Sequence, residues 1–257
     1  MTPPPDNLSA EPLISSSLVG HLLELRRRLL QCIVTLLAIF LCLTPFQNRV
    51  FDLVAMPMIR RLPAGSSMIA TGVTSPFMTP MKLTLMVALF LSMPVFLWHL
   101  WRFVSPALYK RERRMFFPLL VSSVILFYSG VAFAYFVLFP VAFAFLASVA
   151  PAGVKMMTDI NAYLDFVLTI FFAFGLAFEV PVAIVLAVWA GFTSLAKLKK
   201  VRPYAFVGSF IVGMILSPPD VVSMTLLSVP IYFLYEIGML MARILVPGSG
   251  QVNAQRE

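Results

Sequence analysis

The side chains in this chain that could do chemistry are carboxylates set in apolar surroundings. Glu179 sits in Ala177-Phe178-Glu179-Val180-Pro181, near the middle of a long apolar run. A charged side chain at the centre of a bilayer costs about 2.5–3.5 kcal/mol on insertion scales. Such a residue therefore faces protein or water, or carries a proton. Pro181 has no N–H to give the carbonyl of Ala177, which leaves a polar notch beside the acid. Two readings stay open for Glu179. One is a contact for a partner helix or a proton-linked site, and the other is an interhelical hydrogen bond that only fixes packing. Glu236 lies seven residues before Arg243, about 10 Å along a helix, and is within reach of a basic residue at the membrane surface. Asp220 ends Ser217-Pro218-Pro219-Asp220 and is placed to cap a helix that starts at Val221.

Two further acids stand among arginines. Glu24 belongs to His21-Leu22-Leu23-Glu24-Leu25-Arg26-Arg27-Arg28-Leu29, and Glu112 to Lys110-Arg111-Glu112-Arg113-Arg114. The bland reading pairs Glu24 with Arg28 at i, i+4, worth a few tenths of a kcal/mol, and makes Glu112 a local charge balance. The alternative is that both receive an incoming basic peptide, because a guanidinium bonds a carboxylate in bidentate fashion. No phosphate loop, HExxH, CxxC or GxSxG is present, and His21 and His99 are isolated. The chain reads as a non-enzyme without metal or other cofactor.

The elements that must hold these acids are membrane helices. Of 257 residues, 60% are hydrophobic and 12% charged, with mean hydropathy +0.94. That composition points to an all-α, multi-pass membrane protein rather than soluble domains. The net charge is +8. The basic residues cluster between apolar runs, which suits orientation and anionic lipid and argues against nucleic acid. Cys32 and Cys42 lie ten residues apart on one helix and cannot pair there.

Six spans are expected, over 29–46, 83–101, 115–139, 166–192, 204–216 and 221–242. The fifth is short, bounded by Pro203 and Ser217. If the N-terminus is cytoplasmic, the inner segments carry fourteen basic residues, including Arg26, Arg27, Arg28, Lys110–Arg114 and Lys197–Arg202, against five outside. The bias predicts both termini in the cytoplasm. Leu18, Leu22, Leu25 and Leu29 share one helical face, with Ser15-Ser16-Ser17 available as caps, so a short amphipathic surface helix should bend into the first span. Residues 1–17 read as a mobile tail, 18–243 as one membrane domain and 244–257 as a second tail, with no cleavable signal. Outside, 47–80 reads as a long loop with an amphipathic piece over 50–62 kinked at Pro57. Residues 140–162 read as a second cap, and 217–220 as a tight turn.

Taken together, these segments closely resemble the TatC family, the multispan subunits of the twin-arginine protein translocase, over residues 13–243 and nearest its proteobacterial branch. The resemblance rests on the His21–Leu29 stretch, Ser75-Pro76-Phe77, Phe103-Val104-Ser105-Pro106-Ala107-Leu108-Tyr109 with Glu112-Arg113-Arg114, Phe127-Tyr128, Ala134-Tyr135-Phe136, Phe178-Glu179-Val180-Pro181, Arg202-Pro203-Tyr204 and Ser217-Pro218-Pro219-Asp220-Val221. It implies a glove-like, concave bundle of six transmembrane helices with short helices 5 and 6, in the bacterial inner membrane. It also implies binding of paired-arginine signal peptides on folded precursors, TatA-type and TatB-type partners, oligomeric assembly and export driven by the proton gradient. By position, Glu24 and Glu112 would meet the arginine pair, with Arg26, Leu29 and Phe103 in or beside that site. Glu179 would be the intramembrane acid on the concave face, Pro57 a structural residue of the first outside loop and Asp220 a sensitive acid in the last turn. One departure stands at Met224, where the resemblance leads one to expect a glutamine tied to partner docking. A thioether is a weak acceptor and no donor, so docking there would lean on Ser223, Thr225 or packing. The competing classes are a proton-coupled small-solute transporter titrating at Glu179, which would favour inverted repeats that are not seen, and a purely structural scaffold.

Overall fold

The structure, a computed structural model, describes residues 12–59, 67–104, 116–149, 157–217 and 220–246. Its order is α1 (Pro12–Leu43), a 3-10 turn (Thr44–Phe46), α2 (Gln47–Ile59), β1 (Ser67–Ile69), α3 (Ser75–Val104), α4 (Phe116–Phe133), a π turn (Ala134–Leu138), α5 (Phe139–Val149), β2 (Met157–Asp159), α6 (Ile160–Ala177), α7 (Val180–Trp189), α8 (Leu195–Leu216) and α9 (Val221–Leu245). These make six spanning units: α1, α3, α4–α5, α6–α7, α8 and α9. Five contain segments long and apolar enough to cross a membrane on length and composition. The sixth, α8, carries Lys197, Lys199, Lys200 and Arg202 in its first half, so only its second half is apolar. With 22 and 25 residues, α8 and α9 are the shortest units, as expected.

Several boundaries differ from the sequence reading, each for a local reason. α1 is continuous from Pro12. Ser15-Ser16-Ser17 are therefore helical rather than caps, the surface helix and the first span are one rod, and the segment read as a tail is helical from Pro12. The third unit runs through Pro140 to Val149, where a cap was expected. The π turn explains this: Phe139 N–H reaches back five residues to the Ala134 carbonyl, and the widened turn makes room for the ring of Pro140. Pro203 lies inside α8 instead of bounding it, and Ser194 caps the new start by accepting from Lys197 N–H at 3.3 Å. In the long outside loop the described residues form α2, β1 and the first turns of α3.

The α6–α7 unit is the centre of the bundle: half of its most apolar window is buried, against 6% for that of the first unit. Tyr163, Leu164, Val167, Ile170, Phe171 and Phe174 of α6 form the main core with Leu83, Ala134, Leu138, Phe139 and Leu227. α4 comes close to α6 because two glycines face it. A side chain at Gly130 would strike the Phe174 carbonyl, and one at Gly175 would strike the Phe127 ring. α1 packs chiefly on α3, with Cys32 as its one buried hydrophobic residue among those described.

At the end opposite the arginines, β1 and β2 pair in parallel, Ser67 with Met157 and Ile69 with Asp159. Asp159 then caps α6, accepting from Asn161 N at 2.9 Å and Ala162 N at 3.1 Å. Its other oxygen accepts from Thr71 N at 3.0 Å and Thr71 Oγ1 at 2.5 Å. The Thr71 hydroxyl and backbone bonds hold this carboxyl down at about 2, from the usual 3.8. Asn161 adds bonds to Ser75 and Thr79, and Lys82 pairs with Asp165 at 2.9 Å. One small polar cluster thus ties the start of α3 to the start of α6.

Candidate functional site

The sequence-selected acids fall into two settings. At the arginine-bearing end, Glu24 bonds Arg28 within α1, and Arg28 also donates to the His99 carbonyl of α3 at 3.0 Å. The i, i+4 pair is therefore also an interhelical tie. Arg28 is largely buried while the Glu24 side chain is 43% exposed, so the carboxylate keeps a face toward solvent. Beside it lies an apolar groove of about 330 Å³, walled by Leu25, Leu29 and Cys32 from α1 and by Leu89, Met93, Phe96, Leu97, Leu100 and Phe103 from α3. Phe172 and Leu176 of α6 add to the lining, and Arg28 and His99 bring its polar groups. Arg28, Leu29 and Phe103 thus meet around one groove, and Arg26 stands exposed nearby in sequence. Glu112 lies outside the described residues, as does the side chain of Pro57, whose backbone is in the last turn of α2.

The second setting is the break between α6 and α7. Phe178 and Glu179 form a turn there, and Glu179 occupies the cap position of α7 without using its side chain to cap. Pro181 follows at the start of α7, where a missing N–H costs nothing. Freed from capping, the carboxyl turns toward α4: Ser123 Oγ donates to Glu179 Oε2 at 2.7 Å. Trp101 Nε1 of α3 donates to Ser123 Oγ at 3.0 Å. Ser123 is fully buried. The second oxygen, Oε1, is shielded and has no hydrogen-bond partner among the described residues. Trp101 and Ser123 escaped the sequence reading. Their only signal was a polar pair, Ser122-Ser123, inside an apolar run, and which of the two serines faces inward depends on the α4 packing.

Glu236 does find a basic residue. Arg202 Nη2 of α8 meets its Oε2 at 2.6 Å, and Tyr232 OH donates to Oε1 at 2.8 Å. Tyr235 OH adds a bond to the Leu198 carbonyl at 2.8 Å, so the α8–α9 pair is latched at this end. At the other end Asp220 caps α9 by accepting from Ser223 N at 2.6 Å, as its place in the turn predicts.

This geometry of six spanning units, a broken fourth unit with a half-buried acid, and an arginine-tied groove can now be set against known proteins. The model of the family "Sec-independent protein translocase protein (TatC)" matches residues 20–230. The chain belongs to the TatC family. The family member from Escherichia coli is 59% identical over 234 residues, covering 91% of this chain and 90% of its own. That from Azotobacter chroococcum is 56% identical over 239 residues, covering 93% and 92%. Among solved structures, the "Crystal Structure of Twin Arginine Translocase Receptor- TatC" superposes with a TM-score of 0.79 at 34% identity, covering 87% of this chain and 98% of that one. The chain is thus a multi-pass membrane subunit of the Sec-independent, twin-arginine translocase, a transport component rather than an enzyme. As a TatC protein it works alongside other Tat subunits. The small-solute transporter alternative loses its ground with that assignment.

Proposed function

We propose that this TatC chain is the receptor for paired-arginine signal peptides of folded precursors. What carries the reading is Glu24, which stands partly exposed beside an apolar groove that Leu29 and Phe103 also line. A signal with two arginines followed by an apolar segment offers the complementary order of chemistry: guanidinium to carboxylate, then hydrocarbon to groove. The solved relative named Twin Arginine Translocase Receptor, at 34% identity, supports the same role. Glu112 supplies the second acceptor and Arg26 flanks the site. Residues 18–243 act as one domain in the bacterial inner membrane, with both termini cytoplasmic, as the basic-residue bias requires. The occupied receptor then recruits TatB-type and TatA-type single-span subunits into an oligomer, with Glu179 as the intramembrane contact, and export draws on the proton gradient.

The test is a photocrosslinker in place of Glu112, in membranes, challenged with a precursor bearing paired arginines and the same precursor bearing paired lysines. A crosslink specific to the arginine form supports the receptor. Equal crosslinking of both forms, or intact export after Glu24→Ala combined with Glu112→Ala, overturns it.

A further inference from the structure

α1 is flanked by a second groove, which shares His99 of α3 with the apolar one. It has a volume of about 460 Å³ and is lined by Arg27, Leu30, Gln31, Val34 and Thr35 of α1 and by His99 of α3. Arg27, Gln31 and Thr35 recur at i, i+4 and i+8, so they form one stripe down the helix. Arg27 and Gln31 are exposed. Thr35 is already satisfied, its hydroxyl donating to the Gln31 carbonyl at 2.8 Å. The Arg27 guanidinium, the Gln31 amide and the His99 ring have no hydrogen-bond or ion-pair partner among the described residues. One groove thus holds an unmatched cation and an unbonded amide on the same face of α1.

We infer that this α1–α3 groove, built on Arg27, Gln31 and His99, is a binding site for one anionic phospholipid. The groups are graded along the helix as such a lipid is. Arg27 comes first and offers a cation to the phosphate. Gln31, about 6 Å deeper, offers N–H donors at the level of the ester carbonyls. Leu30 and Val34 provide apolar wall for the start of an acyl chain. Arg27 brings a positive charge that no acid among the described residues matches, and that charge suits an anionic headgroup. Basic pockets between membrane helices near the surface are a recurrent setting for such headgroups. The inference stands whether or not the receptor reading holds, because it needs only that Arg27 lie at a membrane surface.

The experiment is native mass spectrometry of the full chain released from detergent micelles, titrated with phosphatidylglycerol or with phosphatidylcholine of the same acyl chains. The wild-type chain should retain a single phosphatidylglycerol in preference to phosphatidylcholine. Arg27→Gln should cut that preference about fivefold, the weight of one interfacial cation. Gln31→Leu should weaken retention of phosphatidylglycerol. Gln31→Leu makes the span more apolar, so insertion is not at risk. Arg243→Gln, on α9, removes an equal charge elsewhere and should leave the preference unchanged. Equal retention of the two lipids, wild-type behaviour of both α1 variants, or an equal loss in Arg243→Gln would overturn the site. So would a photocrosslinker in place of Gln31 that captures a single-span protein instead of lipid.

Discussion

Glu179 and Glu236 are both acids in apolar helices, and their surroundings are opposite. Glu236 meets a guanidinium at 2.6 Å and a phenol at 2.8 Å, with Arg202 46% and Glu236 28% exposed. Both of its oxygens are used and its charge is matched. Glu179 receives one hydroxyl, has no cation within salt-bridge distance among the described residues, and keeps Oε1 unbonded and shielded. The Glu236 latch is complete within the chain. At Glu179 one shielded oxygen lacks a partner among the described residues, and a polar atom left so costs free energy. Glu236 thus has both oxygens bonded within the chain, and Glu179 has one oxygen left over among the described residues.

The sharpest way to break the comparison is Glu179→Leu. It removes a half-buried acid from the span, so the protein should still insert, while export of a paired-arginine precursor falls to background. Retained export with lowered thermal stability in detergent would return Glu179 to packing. Next in size is Ser123→Ala, which strips the partner from both Glu179 Oε2 and Trp101 Nε1. Two part-buried polar atoms then lose their partner, and unfolding in detergent should show a loss of about 1–3 kcal/mol. A smaller effect is expected at the Glu236 latch. A double-mutant cycle of Glu236→Ala with Arg202→Ala should give a coupling of about 0.2–1 kcal/mol, discounted for its exposure and weakened by added salt. A coupling equal to the Ser123 effect would erase the contrast between the two acids.

The smallest effect belongs to Asp159, a third acid, outside the spans, whose Thr71 bonds lower its pKa from 3.8 to about 2. A carboxyl depressed on folding contributes stability that is present above about pH 4 and is lost as pH falls toward 2. Asp159→Asn should flatten the stability curve within that window and leave it unchanged at neutral pH except for the weakened cap. Acid unfolding followed by circular dichroism would measure it.

Much of this protein was legible because membrane spans obey strong one-dimensional constraints. An apolar run bounded by arginines must cross or lie at the surface, and backbone groups in hydrocarbon must bond within a helix. Hence the number of spans, the Asp220 cap and the Glu24–Arg28 pair could be read from spacing along single segments. Boundaries failed where a local device overrode the usual residue rule: the π turn ahead of Pro140, the helix that absorbed Pro203, and the parallel pairing of two three-residue strands far apart in the chain. Each depends on a neighbour or a backbone adjustment that composition does not encode.

The chemistry of the acids divides in the same way. That Glu179, Glu236 and Asp220 needed partners followed from residue type and depth alone, since a charge or polar group in an apolar medium must be answered. Which partner answers was decided by tertiary structure. Arg202 lies 34 residues from Glu236 and Ser123 lies 56 from Glu179, and only the packing of α8 on α9 and the glycine-permitted approach of α4 to α6 bring them within bonding distance.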